Sequence, residues 1–452
     1  MTVVPVTDAV FELTPVDGNP SSRANLQFVL FYRTPGCLRH KHSQHLRESF
    51  YKALSQYPIL FGRLERMRDE KLGTDKVHVA VVKDATECMP SYQEFDATEL
   101  VKDIKDAHYN WAMWPEPLLS LCPVRKQPPG KDDPLVQCVV TWHADGMGLL
   151  ISVDHSIADG VGIDILLNQW AAVARGAELQ PVDFDHKTMY EDLCQDTRPQ
   201  GDWFVQHIDS LEIPPKGSEE TGAILDSDPR SPQEVELAFR ANVHSLRMTP
   251  EALQRLSTDT KGDTHVPAIR LAYALVWQCF VRALEEDKAT GDKPYFLNVI
   301  HSARHLVHRP HYIGNAVCPV YMQRHASMRA LPIRQLAISI GQHMHAVTKP
   351  QWLAMLLLLQ NPERYAKFLT VFATPRQLTL SNISRLGFFS VDFGFGPPTH
   401  ATVYPMLVPG FATWLPLGIS GGGIHILWNM PDPVARRLKD DPQFTRYVDF
   451  LF

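Results

Sequence analysis

The sequence predicts an α/β protein with two domains, and three observations support this prediction. The chain has 452 residues, more than one ordinary core organises. Segments that alternate like strands are interspersed with segments that show the i, i+3, i+4, i+7 spacing of helices. From about 197 to 234 the chain turns polar, which is typical of a linker. We therefore expect an N-terminal domain over 1–197, a crossover linker over 198–234 and a C-terminal domain over 235–452, the two domains being of similar size.

In the first half, three segments carry clear periodicity. Helical spacing in "HSQHLRESFYKALSQ" predicts a helix that stops before Pro58, because proline pushes its preceding residue out of the helical region. Residues 75–82 alternate like a half-buried strand, and residues 134–155 hold two β-rich runs around "HADGMG", a hairpin signal. Apolar residues after Gly160 follow helical spacing again. His155 is therefore predicted at a strand-to-helix junction.

In the second half, the pattern resumes after the predicted linker. Residues 249–251, Thr-Pro-Glu, make a helix start with a capping hydroxyl, a proline at the first position and an acid in the first turn. Residues 267–287 predict a long, mostly buried helix, and residues 294–300 and 423–430 predict strands.

The composition argues against several classes of protein. The formal net charge is −6 with acids and bases interspersed, so no basic surface is expected that would attract nucleic acid or anionic lipid. The longest strongly apolar run, residues 352–360, is too short to span a bilayer, and the N-terminus lacks the pattern of a signal peptide. Seven scattered cysteines form no C-x-x-C pair, so neither a disulfide framework nor a zinc ribbon is indicated. We expect a soluble, cytoplasmic monomer without a nucleic-acid or membrane partner.

His155 and Asp159 form the first candidate site. A positioned imidazole titrates near neutrality and can take a proton from an attacking alcohol, thiol or amine. The spacing H-x-x-x-D alone is a weak signal, since a satisfied structural histidine is the ordinary alternative. The strand–turn–helix context with Gly160 strengthens the functional interpretation.

The segment "LSNISRLGFFSVDFGFGPP", residues 380–398, is the second candidate. Gly394 and Gly396 permit unusual backbone angles and the following prolines restrict φ, so a stiff structural turn is the favoured interpretation of "DFGFG". Ser381 and Asn382 carry polar side chains that are suited to donate hydrogen bonds to a developing oxyanion.

A cluster of histidines at positions 301, 305, 308 and 311 invites a zinc interpretation, with the first two on one helical face. However, no cysteine or acid completes a familiar ligand set, and neighbouring arginines oppose a cation. We therefore predict no metal site. The "GGG" at 421–423 lacks the G-x-G-x-x-G pattern after a strand, so it does not indicate a nucleotide site.

Four blocks, in order along most of the chain, resemble the BAHD acyltransferase family. "HSIADG" (155–160) matches its H-x-x-x-D-G, and "DFGFG" (392–396) is similar to its D-F-G-W-G with Phe395 in place of tryptophan. "RHLVHRPHYIGNAV" resembles a shortened R-x-x-P-P-L-P-x-x-Y-x-G-N block, and "LSQYPILFGRL" (54–64) resembles Y-P-x-L-A-G-R-L. Trp277 in its long helix also fits. Three departures together indicate a distant, fungal-type member: Ile383 where an aromatic residue is common, Phe395, and the shortened proline block.

The resemblance implies two chloramphenicol-acetyltransferase-like domains, each a mixed sheet with flanking helices, and an active-site channel between them. It implies that His155 acts as general base while acyl-CoA, a co-substrate rather than a bound cofactor, acylates a small-molecule alcohol or amine. Ser381 and Asn382 would stabilise the oxyanion. The residues that contact CoA are not predicted.

The resemblance also suggests structural roles. A salt bridge between Asp159 and Arg304 would pin the turn, because an uncompensated buried carboxylate is strongly destabilising. Gly160, Gly394 and Gly396 belong to the same motifs, and Asp392 would anchor its loop rather than move protons. Two alternatives stay open: a condensation-type acyltransferase that depends on a carrier protein, although Asp154 replaces the first histidine of that group's motif, and an inactive binding protein with the same fold.

Overall fold

The computed structural model describes residues 8–17, 25–69, 74–81, 89–98, 134–195, 242–284, 294–324, 326–359, 376–404, 408–418 and 422–451. The predicted linker over 198–234 lies outside these residues, so the domain boundaries at 197 and 235 stay predictions. Among the described helices, none is long and apolar enough to cross a membrane.

The first half of the chain contributes seven strands and three α-helices to the described structure. The strands are β1 (Ala9–Glu12), β2 (Asn25–Arg33), β3 (Arg63–Asp69), β4 (Thr74–Val81), β5 (Ser91–Asp96), β6 (Val136–Trp142) and β7 (Gly146–Asp154). The helices are α1 (Arg39–Leu54), α2 (Gly160–Ala174) and α3 (His186–Gln195). The predicted helix before Pro58 is α1, the strand predicted over 75–82 is β4, and the predicted hairpin is the antiparallel pair of β6 and β7.

The second half contributes the remaining described elements. Its strands are β8 (Val243–Met248), β9 (Tyr295–Ser302), β10 (Val317–Arg324), β11 (Gln377–Asn382), β12 (His400–Val403), β13 (Phe411–Pro416), β14 (Ile424–Asn429) and β15 (Asp449–Phe450). Its helices are α4 (Pro250–Asp259), α5 (Ala268–Leu284), α6 (Ile333–His345), α7 (Lys349–Leu359), α8 (Asp432–Asp440) and α9 (Pro442–Thr445). The predicted cap of α4 is present, since Thr249 Oγ1 accepts the N–H of Ala252 at 3.2 Å.

A five-stranded sheet with the order β12-β2-β7-β6-β5 forms the first layer. Its central strand β7 is buried along its whole length, which explains why both faces of that segment are apolar. Helices α1 and α2 pack together against the core of this sheet. Because β7 ends at Asp154, the next residue, His155, leaves the sheet at its centre rather than at an edge.

A seven-stranded sheet with the order β10-β9-β11-β13-β14-β8-β15 forms the second layer. The long helix α5 covers one face of it, with Trp277 fully buried. A third, three-stranded sheet has the order β1-β4-β3. The structure thus confirms the predicted fold class, in which strands and helices are mixed and two larger sheets each carry flanking helices.

The segment from Phe388 to Val403 connects the two larger sheets. Strand β12 pairs antiparallel with β2 of the first sheet, although it follows β11 of the second sheet along the chain. Phe388, Val391 and Phe393 are buried in the first core as well. This segment therefore lies with the first sheet, whereas the sequence placed it within the range 235–452.

Candidate active site

The turn that carries His155 is closed by the residue before it. Asp154 is 2% exposed, and its Oδ1 accepts the N–H of Ser156 at 2.9 Å. The main-chain carbonyl of Asp154 accepts the N–H of Ile157 at 2.9 Å. These bonds reverse the chain directly after β7, so His155 lies at the strand-to-helix junction that the sequence predicts.

Helix α2 starts at the far end of this turn with Asp159 as its N-cap. The Oδ1 atom of Asp159 accepts the N–H of Gly162 at 3.0 Å, which satisfies one of the free donors of the first turn. A side chain at Gly162 would overlap the carbonyl oxygen of Ile313, so the helix start presses directly on the segment around residue 313. Gly160 in turn faces Ile383: a Cβ atom built there would lie 3.4 Å from the Cγ2 of Ile383.

Asp159 and Arg304 form the predicted salt bridge. Arg304 is 5% exposed, and its Nη1 and Nη2 atoms donate to Oδ2 and Oδ1 of Asp159, each at 2.7 Å. Its Nε atom donates to the carbonyl oxygen of Tyr312, and Nη2 also donates to the carbonyl oxygen of Gly314, so four of the five guanidinium N–H groups have partners. Bidentate geometry with additional hydrogen bonds to the pair is the condition under which a buried ion pair is tolerated. The carboxylate of Asp159 is thus committed to Arg304 and to the helix start rather than to the imidazole.

His155 itself is half-buried. Its Nδ1 atom is buried and makes no hydrogen bond to any described residue. Burial lowers the pKa of His155 below its ordinary value of 6.5, and the carboxylates of Asp159 and Asp17 oppose this only partly. The imidazole is therefore neutral at neutral pH, which is the state that accepts a proton.

The two predicted oxyanion donors lie at the end of β11. Leu378 and Leu380 face the core beneath α5, and Asn382 continues this alternation, because its Nδ2 donates to the Tyr273 hydroxyl at 2.6 Å. The Oδ1 atom of Asn382 accepts the N–H of Ser384 at 2.9 Å, which fixes the orientation of the amide. Ser381 leaves the opposite face of the strand.

The "DFGFG" loop is built around Asp392. The Oδ1 atom of Asp392 accepts the N–H groups of Gly394 at 2.8 Å, Phe395 at 3.1 Å and Gly396 at 2.9 Å. The two glycines have φ of +98° and +102°, which a side chain would strain. Asp392 therefore anchors this tight loop through its side chain, as predicted from the sequence.

The two phenylalanines of this loop pack into the first core. Phe393 is 0% exposed, with its ring 4.6 Å from that of Trp170. Phe395 stacks on His42 at 4.4 Å. The motif thus connects the second half of the chain to α1 and α2, which supports the interpretation of "DFGFG" as a structural turn.

Comparisons with known proteins agree with this geometry. The sequence model of the Transferase family matches residues 3–411. The chain belongs to this family, the BAHD acyltransferases. It is 23% identical over 451 residues to 3'-N-debenzoyl-2'-deoxytaxol N-benzoyltransferase of Taxus canadensis, covering 96% of this chain and 92% of that protein. It is 22% identical over 423 residues to vinorine synthase of Rauvolfia serpentina, covering 87% and 86%.

Solved structures of BAHD proteins share the fold. TRI101 of F. graminearum, in complex with ethyl coenzyme A, superposes with a TM-score of 0.77 at 16% identity, covering 99% of this chain and 100% of that one. Vinorine synthase superposes with a TM-score of 0.60 at 16% identity, covering 94% and 91%. These likenesses confirm the predicted architecture of two acyltransferase-like α/β domains.

In this BAHD chain, a buried polar cluster behind His155 was missed from the sequence. The carbonyl oxygen of His155 accepts a hydrogen bond from Asn315 Nδ2 at 2.5 Å, and the same amide donates to Asp17 Oδ1 at 2.8 Å. His186 Nδ1 lies 2.8 Å from Asp17 Oδ2. Asn315 ends the Y-x-G-N pattern and so had a signal, whereas Asp17 and His186 stand in segments without a chemical motif.

The predicted histidine cluster does not form one helical face. His301 lies in β9 and His305 in a 3-10 turn, with ring centroids 5.5 Å apart, so the helical arrangement considered from the sequence is wrong. Among the described residues, no group of three or more His, Cys, Asp or Glu side chains is arranged to hold a metal ion. Of the "GGG" segment, Gly421 lies outside the described residues, and Gly422 has φ of +82°, as in a tight turn.

Proposed function

We propose that this protein transfers an acyl group from acyl-CoA to a hydroxyl or amine of a small-molecule acceptor in secondary metabolism. The observation that carries the proposal is the position of His155, a half-buried side chain on a turn that a buried salt bridge holds, where burial lowers the pKa of the imidazole. TRI101 has been crystallised with coenzyme A and deoxynivalenol and with coenzyme A and T-2 mycotoxin, which supports a CoA thioester and a small organic acceptor here too.

In the proposed reaction, His155 Nε2 takes the proton of the acceptor as its oxygen or nitrogen attacks the thioester carbonyl. A bond forms between the acceptor and the carbonyl carbon, and the π electrons move onto the carbonyl oxygen. When this tetrahedral intermediate collapses, the carbon–sulfur bond breaks and the thiolate leaves with the electron pair. The proton held by His155 then passes to the sulfur, so that free CoA and the acylated acceptor result and the base is regenerated.

The developing oxyanion requires hydrogen-bond donors. Ser381 and Asn382 are the candidate donors in our proposal. Because they leave opposite faces of β11, one of them donates to a given oxyanion, and a single donor of this kind contributes roughly 3 kcal/mol in comparable sites. Ser381 lies on the face of β11 opposite to Asn382 and α5. Ile383, the residue after Asn382, lies near the start of α2, since a Cβ atom at Gly160 would be 3.4 Å from its Cγ2 atom. Asn382 retains a second N–H beyond the one that it donates to Tyr273.

Several further features belong to the same proposal. We infer that the protein is a monomer and that acyl-CoA is a co-substrate rather than a bound cofactor. The described cysteines at 138, 194, 279 and 318 are free thiols. Free thiols are typical of a reducing compartment, so we infer a cytoplasmic location.

Release of CoA thiol from an acyl-CoA panel, measured with a series of alcohols and amines, tests the proposed function. We expect acceptor-dependent release that persists in the presence of a chelator. Strict dependence on an acyl carrier protein would instead favour the condensation-type alternative, and no turnover with any donor would favour an inactive binding protein. Asp154, which stands where condensation enzymes carry a histidine, uses its carboxylate to close the turn.

A further inference from the structure

The amide of Asn315 links the base to a buried carboxylate. Both of its side-chain hydrogens are used, one on the carbonyl oxygen of His155 and one on Asp17 Oδ1. Its own oxygen is buried and accepts no hydrogen bond from any described residue. Since both partners are acceptors only, the reversed amide would place oxygen against two oxygens. The carboxylate of Asp17 therefore dictates how Asn315 holds the main chain of His155.

Asp17 is held as an anion although it is 0% exposed. Oδ1 accepts the main-chain N–H of Asn315 at 3.1 Å in addition to the side-chain amide. Oδ2 accepts the N–H and the hydroxyl of Thr14 at 2.9 and 2.6 Å and faces His186 Nδ1. Burial alone would raise the pKa of Asp17, but the imidazole of His186 and these hydrogen bonds hold it below its ordinary value.

His186 is the partner of this carboxylate. It is 2% exposed and is the basic side chain that contacts Asp17 among the described residues, because Arg304 is taken by Asp159. An ionised carboxylate only accepts, so the hydrogen shared by the pair resides on Nδ1 of His186. The space is tight: a side chain at Gly314 would overlap the ring of His186 and the hydroxyl of Tyr312.

The buried carboxylates of Asp17 and Asp159 accept hydrogen bonds from consecutive main-chain N–H groups. Asp17 accepts the N–H of residue 315, and Asp159 accepts the N–H of Ala316 at 3.1 Å. Asp17 thus acts through Asn315 on the start of the catalytic turn, at His155. Asp159 is the residue that ends the same turn. Neither end of the turn can shift without displacing the 315–316 segment.

We propose that Asp17 and His186 are positioning residues for the general base, acting through Asn315 on the main chain of His155. This inference rests on the proposed function of His155. The Asp17–His186 pair anchors the start of the turn, as the Asp159–Arg304 pair anchors its end. The two pairs together fix the direction in which Nε2 faces the acceptor.

Steady-state kinetics with acyl-CoA and an accepted alcohol provide the first test. Asp17→Asn, His186→Phe and Asn315→Ala are each expected to lower kcat by roughly 10- to 100-fold, as small misplacements of a catalytic group do, with KM for acyl-CoA changed by less than about threefold. In the Asn315→Ala background, Asp17→Asn should lower kcat by less than about twofold more, because the amide that links Asp17 to the main chain of His155 is already absent. Asp259→Asn, which alters a carboxylate bonded to Arg446 and Tyr447 away from the site, is the control with wild-type kcat.

Titration of the His155 ring by NMR is the second test, and it needs no turnover. The signal is assigned by its loss in His155→Gln. Asp17 and Asp159 are the carboxylates that act on this ring, paired with His186 and Arg304. Asp17→Asn should therefore lower the apparent pKa of His155, and Asp259→Asn should not.

The outcomes separate the two proposals. If the wild-type protein releases no CoA, the proposed function fails, while the titration still decides whether Asp17 acts on His155. The inference would be overturned if the folded Asp17→Asn variant had the kcat and the His155 titration curve of the wild type. It would also be overturned if Asp17→Asn lowered kcat by the same factor in the wild-type and in the Asn315→Ala background. If Asp17→Asn does not fold, as judged by its melting curve, His186→Phe in both backgrounds answers the same question.

Discussion

The guanidinium of Arg304 donates to both carboxylate oxygens of Asp159 at 2.7 Å, across 145 residues of sequence. Arg309, five residues further on, binds Asp183 and Asp192 instead. The ion pair therefore joins the turn after β7 to the segment before β10, so both halves of the chain hold the turn that carries His155, the proposed general base.

Breaking the Asp159–Arg304 pair should lower stability and activity together. Asp159→Ala or Arg304→Ala leaves one buried charge without its partner, which costs about 3–5 kcal/mol of unfolding free energy. Chemical denaturation measures this loss, and the double variant should lose less than the sum of the two. Arg446→Ala, which breaks the solvent-exposed pair with Asp259, should leave the unfolding free energy nearly unchanged, because exposed ion pairs contribute little. An additive double variant would contradict this prediction.

Removing the imidazole of His155 should abolish proton transfer without unfolding the protein. His155→Ala is expected to lower kcat by roughly 10²- to 10⁴-fold, the usual contribution of a positioned base, with an unchanged far-UV spectrum. His305→Ala, at an exposed histidine, should retain wild-type kcat. Near-normal turnover of a folded His155→Ala variant would show that another group takes the proton.

The pH profile should report the burial of His155. Because burial lowers the pKa of His155, the acidic limb of kcat/KM should bend below pH 6.5, the ordinary value for histidine. The same pKa shift makes stability depend on pH, because His155 binds a proton at higher pH in the unfolded chain than in the folded one. The contribution of His155 to unfolding free energy is therefore lost as pH falls from 6.5 toward the folded pKa. An acidic limb above 6.5 would contradict the assignment.

Ser381 and Asn382 should affect the chemical step rather than substrate binding. Ser381→Ala is expected to lower kcat by roughly 10²-fold with little change in KM, since an oxyanion donor acts only in the transition state. Thr379→Ala, on the same strand face two residues earlier, is the matched control and should retain most of kcat. If Ser381→Ala and Asn382→Ala both keep wild-type kcat, the donors lie elsewhere.

Asp392 should matter for stability more than for catalysis. Asp392→Ala releases three N–H groups at once, so we expect a lower melting temperature and a much smaller loss of kcat than in His155→Ala. Asp392→Asn keeps an oxygen acceptor and should lie close to wild type in both. A loss of kcat in Asp392→Asn equal to that of His155→Ala would instead mark Asp392 as a proton carrier.

Much of the architecture was predictable from local patterns. The alternation in 75–82, the hairpin around "HADGMG", the Thr-Pro-Glu start of α4 and the apolar length of α5 each appear in the structure. These features depend on capping, periodicity and turn chemistry, which act between residues a few positions apart. The position of His155 at a strand end followed from the same local signals, and the choice of Arg304 as the partner of Asp159 followed from the family resemblance.

Only the tertiary structure decided which distant groups meet. The sequence does not show that β12 crosses to the first sheet, that Ser381 and Asn382 leave opposite faces of β11, or that Asp17 and His186 converge behind Asn315. The physical reason is that buried polar groups must find partners wherever folding brings them, and these partners lie 298 residues apart for Asn315 and Asp17. Local propensity placed His155 on its turn, and long-range hydrogen bonding determined how that turn is held.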